Sequence, residues 1–402
     1  MMSKKLLKSL SSLFYDVPKK RIKSSRVAPL IMANHHGRPV WTPRHYEALA
    51  AEGYQKNVIV YRCVNIIARA VASVPWLLYE RDEKGDDHEI YTHPLLSLMQ
   101  QPSTIQAGSS FMEDVVSFLL LSGNSYIEAV YNDLGLPIEL YALRPDRMAV
   151  VPSDLGDITA YEYRVNGKVK RVDVESGCSS PILHLRLFHP LNDYYGLSPL
   201  EAAASSIDQH NAVGSHNFSL LQHGGRPTGA LMVKQQNLTH EQREELRSDL
   251  RQLYQGEENA GKIMILEGDF EWKEMGLSPK DLDFIEGKNI SAREIAQAFG
   301  VPSILVGIMG DATYANYKEA RLHLWEDTVL PLLETITTEM NAWLAPFFGK
   351  NLMLRYDADA IPALSIKREA HWDKVAEATF LTINEKRQAV GYPPLEGGDR
   401  IK

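Results

Sequence analysis

Tyr194-Tyr195-Gly196-Leu197-Ser198-Pro199-Leu200-Glu201 is the stretch at which the character of the chain changes. Ser198 offers an oxygen to the unpaired N–H groups of a starting helix, Pro199 loses no bond in a first turn, and Glu201 stands where a capping box needs its acid. The helix so started runs to Gly224-Gly225, and its ~24 residues would span roughly 36 Å. Its interior is only mildly apolar, with Ala202 to Ala204, Ile207, Val213, Phe218, Leu220 and Leu221. A long helix with so little apolar surface packs against other helices or against copies of itself. Ser278-Pro279 and Asp281 repeat the same device and open a second helix that Gly300 stops. Between the two lie a strand at 230–233, a charged helix at 239–254 capped by Thr239, and strands at 263–266 and 270–275. Two capped helices therefore bracket a small β-α-β-β module.

On the N-terminal side, Val60, Val64, Ile67, Val71 and Val74 step by three or four, and Pro75 ends the helix they predict over 58–74. A strand at Trp76–Arg81 follows, then a second apolar helix at 110–121. Short β-rich runs at 126–131, 138–143 and 148–151 come next, and runs at 161–164 and 168–172 flank Asn166-Gly167, the dipeptide of a type I′ hairpin turn. This half reads as α+β with an antiparallel sheet. On the C-terminal side, the two glycines of 307–316 and its lack of period predict a loop. Asn316 then caps a helix to Phe348 that Pro331 should kink. A strand at 352–356, a helix at 366–380 and a last helix behind the capping box Thr382-Ile383-Asn384-Glu385 complete the chain.

The 402 residues carry 43 basic and 51 acidic side chains, a net charge of -8. The first fifty residues hold ten Lys/Arg against two Asp/Glu, so this arm is +8 and the remainder is -16. The two parts have different electrostatic roles. Leu6, Leu7, Leu10, Leu13 and Phe14 recur at helical spacing among Lys4, Lys5 and Lys8, without the apolar core and cleavage site of a secretory signal. Cys63 and Cys178 are too few for a disulfide framework, which suits a reducing compartment. Apolar runs such as 118–121 fall far short of the ~20 residues of a membrane span.

Catalytic patterns are missing from the sequence. It holds no P-loop, no G-x-G-x-x-G behind a strand, no G-x-S-x-G elbow and no H-E-x-x-H. His223-Gly224-Gly225 has no serine on an elbow to serve and reads as a helix end. His35-His36 lacks a third ligand at metal spacing, and Glu257-Glu258 and Asp357/Asp359 read as solvated turns. No enzyme, metal or cofactor is expected.

Seven motifs, in order, resemble the HK97-type portal proteins of tailed bacteriophages and gene transfer agents. They are Tyr61-Arg62-Cys63-Val64-Asn65-Ile66-Ile67-Ala68, Gly123-Asn124-Ser125-Tyr126, Leu143-Arg144-Pro145, Gly196-Leu197-Ser198-Pro199, Ala260-Gly261-Lys262-Ile263, Ile295-Ala296-Gln297-Ala298-Phe299-Gly300-Val301-Pro302 and Thr382-Ile383-Asn384-Glu385. The resemblance implies the portal fold: an N-terminal arm at 1–57, a wing at 58–195, stem helices at 196–225 and 278–306, and a clip at 226–277. A tunnel loop at 307–316, a kinked helix with its return strand at 317–360 and a short crown at 361–402 follow. It also implies a dodecameric ring at one vertex of a virion or virus-like particle, assembled in the bacterial cytoplasm, that conducts double-stranded DNA without sequence preference during packaging and ejection. The implied partners are the ring's own copies, the terminase large subunit, a head-tail adaptor, and the major capsid or scaffold protein, with no membrane. Met309, Asp311, Thr313, Tyr314 and Asn316 are the residues implied at the channel. Glu241, Arg243, Glu244, Arg247, Asp249 and Arg251 are implied at the docking face of the clip, and Ile207 and Val213 at stem packing. The competing class is a non-portal structural component of the head, such as an adaptor.

Overall fold

The computed structural model describes residues 42–174, 180–222, 229–233, 239–241, 244, 248, 270–274, 284–308, 314–392 and 394–400. The compact body begins at Thr42. The expected arm reached residue 57, but 42–57 join the body: helix α1 (Tyr46–Leu49) continues as a π-helix over Ala50–Gln55, and Leu49 is buried in the core.

Helix α2 (Val58–Ala72) forms where the periodicity predicts it, with Asn57 as its cap. Its stripe of Val60, Cys63, Val64, Ile67, Ala68 and Val71 is buried. Burial pushes the Cys63 thiol up to about 12. Strands β1 (Trp76–Arg81) and β2 (Asp87–Glu89) and helix α3 (Pro94–Gln100) lead to α4 (Gly108–Ser122), which packs on α2 through Phe111, Val115, Val116 and Leu119. At about 1.5–3 kcal/mol for each large apolar side chain buried, this seam is a major source of stability. Neither β2 nor α3 was expected, because Asp87–Glu89 is entirely polar and Pro94–Gln100 is too short to show a period.

The strands that follow are β3 (Asn124–Tyr131), β4 (Pro137–Leu143), β5 (Met148–Pro152), β6 (Ile158–Val165), β7 (Lys168–Asp173) and β8 (Ile182–Arg186). They form two antiparallel sheets, ordered β4-β3-β8 and β5-β6-β7. Tyr126, Leu143, Met148, Tyr161 and Ile182 make a second, smaller core between them. Asn166 and Gly167 both take positive φ, 49° and 77°, as the expected hairpin turn requires. β8 was not expected: Ile182-Leu183-His184-Leu185-Arg186 is buried on both sides of its centre and shows no clean alternation.

Beyond β8 come α5 (Pro199–Ala202), α6 (Ala204–Gln222), the antiparallel pair β9 (Gly229–Val233) and β10 (Phe270–Glu274), and α7 (Phe284–Ala298). His240, Glu241, Glu244 and Ser248 are helical, and the strand expected at 263–266 lies outside the described residues. Helix α8 (Tyr314–His323) passes through a π-helix, Leu324–Val329, into α9 (Leu330–Phe348). Where a kink was expected at Pro331, the helix carries this π-helical stretch. Leu330 N–H donates to Trp325 O, five residues back, and the wider turn leaves room for a proline ring that would otherwise crowd the carbonyl of residue 327. Asn316 is not the cap, since the helix begins two residues earlier. Strand β11 (Leu352–Tyr356) pairs antiparallel with β1, Leu78 opposite Leu354, so the two ends of the body share one sheet and one core. Helices α10 (Ser365–Glu377) and α11 (Ile383–Ala389) end the chain, the latter behind a complete Thr382/Glu385 capping box.

Candidate functional site

Helices α6 and α7 pack together. Each is buried at one end and exposed at the other. On α6, Ala204, Ile207 and His210 are buried, whereas Ala212, Ser215, His216 and Phe218 are exposed. On α7, Ser291, Ala292, Ile295, Ala296 and then Phe299 form a buried stripe at helical spacing, whereas Glu286, Gly287, Lys288 and Ile290 are exposed. The start of α6 and the end of α7 thus lie in the body, and a 2.7 Å hydrogen bond from Ser206 Oγ to Glu294 Oε2 ties them.

Polar side chains fasten this base. Asn57 Oδ1 accepts from the N–H groups of Ile59 and Val60 at 3.0 and 3.3 Å. Its amide donates to Asn211 Oδ1 at 3.0 Å and meets His210 Nδ1 at 3.1 Å. Asn211 in turn donates to Glu52 O at 2.8 Å. Burial first, and then the charge of Lys288, lowers the His210 pKa, so the ring is held neutral and able to accept at Nδ1. Thr42 N–H and its hydroxyl both bond the Asp208 carboxylate. This network escaped the sequence reading, although an asparagine directly before an amphipathic helix is a cap signal.

The turn from α4 into β3 meets the segment before α5 at a backbone crossing. Gly123 has φ 75°, and a Cβ there would stand 2.4 Å from Gly196 O; one on Gly196 would stand 2.1 Å from Gly123 O. Asn124 Oδ1 accepts from Gly196 N–H at 2.8 Å and meets His184 Nε2 at 3.0 Å. Burial, then Arg186, lowers His184 to about 3, and its neutral ring stacks on Tyr126 at 4.2 Å between centroids. Ser198, two residues on, accepts from Glu201 N–H at 2.9 Å as the cap of α5.

The expected site residues divide among three regions. Ile207 is buried in this chain's own core and Val213 is half-buried, so Ile207 already has partners within the subunit. Glu241 and Glu244 are exposed and helical, while Arg243, Arg247, Asp249 and Arg251 lie outside the described residues. Met309, Asp311 and Thr313 also lie outside them. The anchors of their loop are in place. Gly307 takes φ 82° after a 3₁₀ turn whose Leu305 is buried, Ile308 is buried, and α8 begins at Tyr314 with Asn316, Tyr317, Lys318 and Glu319 exposed. Asp357 and Asp359 are explained locally, the first capping a 3₁₀ turn and the second paired with Arg368. Among the described residues no group of His, Cys, Asp and Glu has metal-site geometry. Nor is any described helix long and apolar enough to cross a membrane.

A sequence model of the phage portal protein family matches residues 58–391. The chain belongs to that family. It is 25% identical over 348 residues to the portal protein of Enterobacteria phage HK97, covering 85% of this chain and 80% of that one. It is 45% identical to an uncharacterized protein of Rickettsia bellii, over 87% of this chain and 90% of the other. Among solved structures, a chain in the neck of a native gene transfer agent particle, computed with C12 symmetry, is 42% identical with a TM-score of 0.68, over 91% of this chain and 99% of that one. An HK97-family portal protein from Corynebacterium diphtheriae, 18% identical, shares the fold with a TM-score of 0.57 over 81% of this chain and 99% of that one.

Proposed function

We propose that this chain is the portal subunit of a gene transfer agent or an HK97-type phage particle, twelve copies forming a ring at one capsid vertex. The observation that carries this reading is the 42% identical chain in the C12 neck, of which 99% is covered. The stem supports it, because helices fixed at one end and exposed at the other offer surface for lateral packing. The ring is a conduit and not a catalyst. Double-stranded DNA passes through it during packaging and ejection, and the -16 charge outside the arm limits the phosphate contacts that would hold a sliding polyanion. Purified chain examined by native mass spectrometry and negative-stain microscopy should give a closed ring with a central hole. A monomer under all conditions overturns the reading.

The wing, stem, clip, tunnel loop and crown boundaries given above are part of this proposal. The clip docks the terminase large subunit during packaging and later a head-tail adaptor, with Glu241, Arg243, Glu244, Arg247, Asp249 and Arg251 on its outer face. The capsid or scaffold protein surrounds the ring. In the loop Met309 and Thr313, and in the first turn of α8 Tyr314 and Asn316, offer adaptable contact, and Asp311 repels phosphate. Asp311→Lys should raise DNA retention, slow packaging and steepen the log-log salt dependence of binding. Normal packaging with an unchanged slope removes the loop from the channel.

A further inference from the structure

A cavity of about 360 Å³ opens where the start of α1, the turn from α4 into β3 and the segment before α5 come together. That volume lies within the roughly 300–1,000 Å³ of small-molecule sites. Arg44, Asn124, Tyr126, Tyr195, Ser198 and Glu201 are among the residues that line it. Three of them are polar and yet almost wholly buried: Tyr126 is 1% exposed, Ser198 2% and Asn124 6%. Buried polar groups are costly unless each has a partner. Here one does not, since Tyr126 Oη is buried without a hydrogen-bond partner.

The hydrogen-bonding capacity left in these groups is mostly of one kind. Asn124 Oδ1 already accepts from Gly196 N–H at 2.8 Å and meets His184 Nε2 at 3.0 Å, and its amide is used on Ser122 O and Gly196 O. Tyr195 Oη accepts from Val150 N–H at 2.9 Å, and Ser198 Oγ accepts from Glu201 N–H at 2.9 Å. Each of these two hydroxyls keeps its own proton to donate, as does Tyr126. Arg44 adds an exposed guanidinium that spends one N–H on Glu201 O at 3.1 Å. A group that these donors fit accepts hydrogen bonds and carries negative charge. Glu201 limits that charge, because its own carboxylate repels a second negative charge across the cavity.

We propose that this cavity binds a single carboxylate, carried by a small acid or by the C-terminus of a partner polypeptide. Tyr126, Tyr195 and Ser198 donate to its oxygens, Arg44 neutralises its charge, and Glu201 disfavours a phosphate dianion. The cavity lies at the crossing of the Gly123 and Gly196 backbones, so an occupant also fastens that joint. The proposal stands apart from the ring reading and is tested without it.

Saturation-transfer NMR on the full chain, with benzoate as the probe, provides the test. Benzoate should bind wild type, and benzamide, which keeps the ring but lacks the charge, should bind about tenfold more weakly or worse. Tyr126→Phe removes the unpartnered hydroxyl and keeps the ring, and Arg44→Gln alters an exposed side chain; each should weaken benzoate by about tenfold, as loss of a hydrogen bond to a charged group does. Circular dichroism should be unchanged in both, and Arg44→Gln alone decides the matter if Tyr126→Phe misfolds. Displacement of benzoate by acetate assigns the site to small acids. Displacement by a tripeptide with a free C-terminus, where acetate and the tripeptide amide fail, assigns it to a chain end. The proposal is overturned if benzoate does not bind, if benzamide binds as well, if a folded variant binds benzoate as wild type does, or if inorganic phosphate displaces it as readily as a carboxylate.

Discussion

Gly196→Ala tests whether the backbone crossing fixes β3 to the segment that leads into α5. The new Cβ would stand 2.1 Å from Gly123 O and 2.7 Å from both Leu187 N and Leu187 O, all of them main-chain atoms that cannot swing aside. Restoring an ordinary contact of roughly 3.5 Å requires the segments to part by about 1 Å or more. The Gly196 N–H bond to Asn124 Oδ1, now 2.8 Å, and the Leu187 N–H bond to Gly123 O, now 2.9 Å, would then leave hydrogen-bonding range. Two buried bonds lost at about 1–3 kcal/mol each give a cost of about 2–6 kcal/mol. Gly167→Ala is the control: φ there is 77° but nothing lies within 4 Å of a Cβ, so backbone strain of about 1 kcal/mol is the whole cost. Urea denaturation followed by circular dichroism should separate the two variants. Equal destabilisation of both, or less than about 1 kcal/mol for Gly196→Ala, refutes the clash argument.

Three further outcomes follow from the same geometry. Asn57→Ala should cost about 2–4 kcal/mol in the same denaturation assay, since it removes the cap of α2 and the bonds that its amide makes to His210 Nδ1 and Asn211 Oδ1. Because the folded chain holds both His210 and His184 below the ordinary value of 6.5, their neutral rings favour folding above that value; stability should fall as pH drops through 6.5, and His210→Gln should weaken that dependence while leaving the part that His184 contributes. In a Cys178→Ser background a thiol reagent at pH 8 should leave Cys63 untouched until the chain unfolds, because the buried thiol titrates only near 12.

Local signals in the sequence located most elements, and each success has a particular cause. Val60, Val64, Ile67 and Val71 repeat long enough to show a helical period, Asn166-Gly167 demands one turn type, and Thr382 with Glu385 closes a box of four residues. What escaped depends on distance along the chain. The pairing of β1 with β11 joins residues 76–81 to 352–356, and nothing in either strand names the other. The base of the stem joins Asn57 to His210 and Thr42 to Asp208, contacts made by tertiary packing alone. Ile207, expected at stem packing, is covered within its own chain. A sparse apolar stripe can still be enough when a short part of the helix is the only part buried.

The motifs that placed the chain in its family mark joints more than surfaces. Gly123 and Gly196 allow two stretches of backbone to cross, and Ser198 caps α5 two residues later. Gly300, with φ 69° and Thr328 Oγ1 2.6 Å from where a Cβ would be, ends α7 against the π-helix that leads into α9. Thr328 fixes that contact by donating to Gly300 O at 2.6 Å. At each joint one atom decides whether the backbones meet, so few residue types serve and the pattern is readable. A ring contact or a channel wall is set by the summed shape and charge of many side chains, which many sequences supply equally well. The frame is therefore readable residue by residue, and the surfaces that would carry function become visible only as burial that the single chain leaves unfinished: Phe218 and Ile290 on α6 and α7.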